Sequence, residues 1–279
     1  MRLLSCTLLV SLLACARGAK ITNLSEDPSV NEIEPQSANI VREQDASKPA
    51  NLRYPSAVLF SGTCGGTIIS PTWILTAAHC TLFGDGIAVL AGTANSEDNT
   101  GESRFVKRLV VHPKFSVGPH WLNAAAFNFS QIAAHWDFML AELEQPLPLD
   151  GVTIAAATLD DSRDHPAGQR VGFAGYGTDV FGGTMRHHMH AMDLEIKSNE
   201  DCSMFEPFTP EDMLCVQGIP PRNDYACSGD SGSGLVRDGR LVGVLSWLED
   251  DSRTCEPGKK LVFARVAAVR DWIKKVANV

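Results

Sequence analysis

From Tyr54 onward, short β-rich runs recur between turn signals: residues 56–60, 66–70, 87–91, 105–111, 169–173, 235–236 and 241–246. Short runs of this kind, bounded by Gly, Pro and Asp, predict an all-β barrel or sandwich. Only the end of the chain reads differently. Val269, Trp272, Ile273 and Val276 fall at helical spacing, so residues 267–279 are expected to form a terminal helix packed on the last part of the β structure. The chain has 279 residues, enough for one large or two small domains.

Residues 1–18 carry a basic start, the short apolar core of residues 3–13 and then small residues, the pattern of a secretory signal peptide cut after Ala16 or Gly18. That core is too short to span a bilayer, and no later stretch is long enough either, so a soluble, secreted, extracellular protein is expected. Residues 19–39 are polar, acidic and poor in aromatics, which reads as a flexible pro-segment. Asn23 lies in a glycosylation sequon there. Of the eight cysteines, Cys6 and Cys15 fall in the leader and six remain, an even number for an oxidising compartment. Three disulfides are expected, and spacing alone leaves their pairing open. The formal charge of −9 argues against non-specific nucleic-acid binding.

Three stretches carry chemistry. Cys227-Ser228-Gly229-Asp230-Ser231-Gly232-Ser233-Gly234 sets one serine in a glycine-rich turn, where the backbone can bring its N–H groups close to a reacting atom. A serine hydroxyl is a weak nucleophile until a base takes its proton. Thr76-Ala77-Ala78-His79-Cys80 supplies a histidine beside a cysteine, after an apolar run. Trp136-Asp137-Phe138-Met139-Leu140 supplies an aspartate that leads into an apolar strand. The chain order is His, Asp, Ser. An α/β-hydrolase uses the order Ser, Asp, His, so that fold is set aside.

With T-A-A-H-C, the Asp-apolar run and G-D-S-G in this order, the sequence from about Ile40 to its end resembles the chymotrypsin-like, trypsin-fold family of secreted serine proteases. The resemblance implies two six-stranded antiparallel β-barrels with a C-terminal α-helix and the site in the cleft between the barrels. It implies the disulfide pairs Cys64–Cys80, Cys202–Cys215 and Cys227–Cys255. It implies peptide-bond hydrolysis through an acyl-enzyme, with Ser231 as nucleophile, His79 as general base and acid, Asp137 orienting His79, and the N–H groups of Gly229 and Ser231 as oxyanion hole. No cofactor and no metal ion is implied. The partners are a protein or peptide substrate, an activating protease and a serine protease inhibitor, with no nucleic acid and no membrane, and the chain is expected to be a monomer.

Residues 40–46, Ile-Val-Arg-Glu-Gln-Asp-Ala, resemble the family's activation site, where cleavage before Ile40 frees an ammonium that pairs with Asp230. Residues 19–39 would then be a pro-segment and residues 40–279 the protease domain. Arg42-Glu43 stands where the family has Gly-Gly, and Asn39 precedes Ile40, so a trypsin-like activator is not expected. In the specificity pocket the resemblance assigns the floor to Tyr225, followed by Ala226, and a wall to Ser246 and Trp247, while Leu248 stands where glycine is common and narrows the mouth. Tyrosine at the floor removes the carboxylate that selects Arg or Lys. A non-tryptic preference follows, for an apolar or small residue before the scissile bond. The segment before Asp137 is longer than its family counterpart and carries a second sequon at Asn128. His187, His188 and His190 read as an exposed loop entering a strand, with His187 facing away from the other two. The competing reading, a protease-fold binding protein with little or no activity, is motivated by Tyr225, Leu248, Arg42-Glu43 and the long loop.

Overall fold

The structure, a computed structural model, describes residues 45–82, 88–118, 133–205, 208–249 and 255–279. The leader, the pro-segment, Ile40, Asn23, Asn128 and most of the long loop before Asp137 lie outside them.

The helix α1 (Ala50–Arg53) leads into the first barrel. Its strands are β1 (Ala57–Phe60), β2 (Cys64–Ser70), β3 (Trp73–Thr76), β4 (Ala88–Ala91), β5 (Glu102–Val111) and, after the short ribbon of β6 (Ser116–Val117) and β7 (Ala134–His135), β8 (Met139–Leu143). They close in the antiparallel order β1-β2-β3-β8-β5-β4. Closure leaves no unpaired barrel edge. Phe60, Ile68, Ile74, Leu75, Val89 and Leu140 fill the interior.

After β9 (Thr158–Leu159) come β10 (Arg170–Gly175), β11 (His190–Ile196), the short helix α2 (Asn199–Cys202), β12 (Met213–Gly218), β13 (Gly234–Arg237), β14 (Arg240–Leu248) and β15 (Lys260–Arg265). Six of these strands run β13-β10-β11-β12-β15-β14, and β13 pairs again with β14 to close a second barrel; β9 adds to β14 in parallel. Phe173 and Phe263 meet edge to face at 5.7 Å among Leu194, Val216, Leu235 and Val242. The two six-stranded barrels implied by the resemblance are therefore present, and all three expected disulfides form.

The terminal helix is α3 (Arg270–Ala277). It differs from expectation in where it packs. Val269 and Ile273 join the core that first-barrel residues share with Leu241 and Val244, and Trp272 meets His112, which follows β5, at 4.8 Å. Helical spacing shows which face is apolar but not which neighbour covers it.

The barrels touch where a glycine is needed. Gly65 N–H donates to Ser231 O at 2.7 Å, and Gly65 O accepts from Thr76 Oγ1 at 2.7 Å. A Cβ at position 65 would run into Ser233 Oγ and its backbone. Gly65→Ala is therefore expected to destabilise the chain by about 2 kcal/mol through overpacking. In a domain of this size, thermal unfolding should register that as a midpoint fall of roughly 4–8 °C.

Candidate active site

His79 sits on a short 3-10 helix (Ala78–Leu82) directly after β3, and the Cys64–Cys80 disulfide ties that turn to β2. Asp137 enters from the other side, just before β8, and is fully buried. Its Oδ1 accepts the backbone N–H of His79 at 2.9 Å. Its Oδ2 lies 2.6 Å from His79 Nδ1 and accepts Ser246 Oγ–H, also at 2.6 Å. Burial pushes the Asp137 carboxyl upward, but the His79 charge and these donors outweigh it and hold the group below the ordinary aspartate value. The preceding residue, Trp136, has φ 51°, unusual for a residue with a side chain. Its N–H donates to buried Asp212 Oδ2 at 2.8 Å, its ring stacks on His112 at 5.5 Å, and Lys114 Nζ lies over it at 4.2 Å. The fold thus supports the bend that aims Asp137 at His79.

Ser231 lies in a tight turn that uses positive φ at Gly229 (95°) and Gly232 (84°). Asp230 N–H donates to Cys227 O at 3.1 Å, and Gly232 N–H to Leu245 O at 2.8 Å. Among the described residues, neither Gly229 N–H nor Ser231 N–H donates to another protein group. The Asp230 side chain points inward, where Oδ1 accepts Gly177 N–H at 2.9 Å and Oδ2 accepts Cys227 N–H at 3.0 Å. Burial pushes its carboxyl up to about 6 despite those two donors, and no ion-pair partner reaches it among the described residues.

One cavity of about 390 Å³ is lined by His79, Ser231, Gly229, Ser246, Trp247 and Leu248 together. Side chains far apart in sequence thus share one space: a histidine backed by a buried carboxylate, a serine, and two unengaged N–H groups. With Nδ1 held by Asp137, proton exchange falls to Nε2, so the set suits acyl transfer. A family model described as Trypsin matches residues 40–273. The chain belongs to the trypsin family of serine proteases. It is 62% identical to Scolexin B of Heliothis virescens over 233 residues, covering 83% of this chain and 81% of that protein. It is 30% identical over 282 residues to trypsin zeta of Drosophila melanogaster, covering 96% and 94%. Among solved structures it is similar to neuropsin, a serine protease expressed in the limbic system of mouse brain, with TM-score 0.65 and 26% identity over 80% of this chain and 95% of that one.

Two residues assigned to the pocket by the trypsin-family resemblance, Tyr225 and Ala226, are not among those lining this cavity. Tyr225 does not line the cavity; its hydroxyl donates to Asp179 O at 3.3 Å. Ala226 is buried in the second barrel's core, with Phe173 and Leu245. Thr178, Phe181 and Met185, on the loop between β10 and β11, also line the cavity. No sequence motif marks that loop. His187 and His188 are exposed, and His190 opens β11, as the run of histidines suggested.

Proposed function

We propose that the protein is a secreted serine endopeptidase made as a zymogen. The observation that carries this reading is the shared cavity of His79 and Ser231, with Asp137 behind the histidine. Ser231 Oγ attacks the scissile carbonyl while His79 takes its proton, and the tetrahedral oxyanion is held by the N–H groups of Gly229 and Ser231. His79 then protonates the leaving amine, which departs and leaves the acyl-enzyme. Water, deprotonated by the same histidine, releases the acid. Asp137 fixes the ring and stabilises its charged form. Secretion rests on the leader-like residues 1–18, and no described helix is long and apolar enough to cross a membrane.

For the residue before the scissile bond we propose an apolar or small side chain. Among the described residues lining the cavity none is a carboxylate, while Phe181, Met185, Trp247 and Leu248 are apolar. A guanidinium or ammonium there would lose water without gaining a partner.

Fluorophosphonate labelling, before and after cleavage between Asn39 and Ile40, tests the proposal. Labelling should appear after cleavage and vanish in Ser231→Ala, and the cleaved enzyme should hydrolyse peptides with an apolar residue before the bond faster than those with arginine. Absence of labelling with a free Ile40 terminus would overturn the enzyme reading in favour of a protease-fold binding protein.

A further inference from the structure

Met185 lines the same cavity, and its position is set by its neighbours. The next residue, Arg186, donates its N–H to Tyr176 O at 3.0 Å, and its guanidinium is paired with Asp179. The Met185 thioether consequently lies against Gly229, with Sδ and Cε in the volume that a Cβ at position 229 would occupy. Most other described methionines, at positions 139, 189, 192 and 213, are buried, and Met204 is 70% exposed but outside the cavity. Met185 alone of the described methionines is half-buried, open to the cavity and packed on the turn that holds Ser231.

We infer that Met185 is an oxidation site through which a peroxide turns the enzyme off, an inference that rests on the hydrolytic reading above. The sulfur lone pair attacks one peroxide oxygen. An S–O bond forms, the O–O bond breaks, and the second oxygen leaves as hydroxide and is protonated to water. Sulfur loses two electrons and the peroxide gains them. The thioether becomes a polar sulfoxide that a sulfoxide reductase can reverse. The new oxygen is a strong acceptor on a sulfur packed against Gly229, and the contact there is too close to admit it without a shift. Either it takes the hydrogen bond intended for the oxyanion or it displaces the turn. Loss of one such donor lowers kcat on the order of a hundredfold.

The cleaved enzyme is treated with graded hydrogen peroxide. Hydrolysis and fluorophosphonate labelling are then followed against sulfoxide occupancy at Met185 and Met204 by peptide mass spectrometry. Met185→Leu and Met204→Leu are run in parallel, each scaled to its own untreated rate. Wild type and Met204→Leu should lose about a hundredfold in step with the Met185 sulfoxide and recover with methionine sulfoxide reductase, while Met185→Leu keeps its untreated rate. Full Met185 sulfoxide with an unchanged rate would overturn the inference. So would equal loss in Met185→Leu, or a Met185 that stays reduced while Met204 is fully oxidised. Should the leucine variant fail to fold, the occupancy and reversal data on wild type decide alone. Untreated protein that neither labels nor hydrolyses overturns the hydrolytic reading itself, and with it this inference, before any peroxide is added.

Discussion

Asp137→Asn is expected to lower kcat about ten-thousand-fold at neutral pH, the scale seen when a triad aspartate becomes an amide. The carboxylate here meets three donors: His79 N–H, His79 Nδ1 and Ser246 Oγ–H. An asparagine offers one acceptor oxygen and two N–H donors, so at least one of the three must face a donor. The least costly adjustment is in the imidazole, which moves its proton from Nδ1 to Nε2 and accepts from the amide. In that tautomer His79 cannot accept the Ser231 proton. Ser231→Ala should set the floor, on the order of a million-fold below wild type. The fold is affected as well. Because the Asp137 carboxyl titrates below its ordinary value in the folded chain, its ionised form adds stability at neutral pH that fades as pH falls through that lowered range. The discriminating measurement is kcat against pH alongside thermal unfolding. A variant that unfolds earlier yet keeps kcat within tenfold would reduce Asp137 to a structural role.

His79, Asp137 and Ser231, which the structure brings to one site, were legible because each sits in a short motif and the three motifs follow one another in a family's order: a histidine beside a cysteine, an aspartate entering an apolar strand, a serine among glycines. The barrels were half legible. Runs such as residues 56–60 and 241–246 mark β1 and β14, whereas β11, with Asp193 and Glu195 among its apolar residues, does not read as a buried strand. The cavity wall was not legible. Thr178, Phe181 and Met185 matter because a loop folds over Gly229, a tertiary approach that no local pattern encodes. Tyr225 shows the converse. The resemblance puts it at the pocket floor, yet its hydroxyl donates to Asp179 O and it is not among the residues lining the cavity. Asp212 escaped notice for a similar reason. Its carboxylate receives Trp136 N–H from a residue 76 positions away.

Cleavage before Ile40 is expected to raise stability at pH 8 by about 3 kcal/mol and to switch hydrolysis on. In the uncut chain Asp230 is buried with two backbone donors and its carboxyl is pushed up to about 6, against an ordinary value near 4. A carboxyl whose folded value exceeds its unfolded one favours folding only while protonated. Its contribution is complete below about pH 4 and is lost as pH rises through 6, a loss on the order of 3 kcal/mol by pH 8. The ionised group is then a buried anion with two backbone donors, the more distant Arg186 charge and no ion-pair partner among the described residues, and the Ser231 turn is correspondingly easier to open. An ammonium arriving at Asp230 reverses the sign: it favours the carboxylate, draws the titration down, and restores the lost stability where the enzyme works. Arg42-Glu43 stands where the family has a glycine pair, and such residues have fewer backbone conformations open to them than glycine, so the rate of switching, rather than its end point, should carry that departure. Thermal unfolding of cut and uncut protein at pH 4, 6 and 8 measures the effect, expected as a midpoint difference of roughly 6–12 °C at pH 8 and little at pH 4. Asp230→Asn, cut, should show no gain and no labelling. Identical pH profiles for cut and uncut chains would mean that the new terminus never reaches Asp230, and activation would then have to be sought outside this pair.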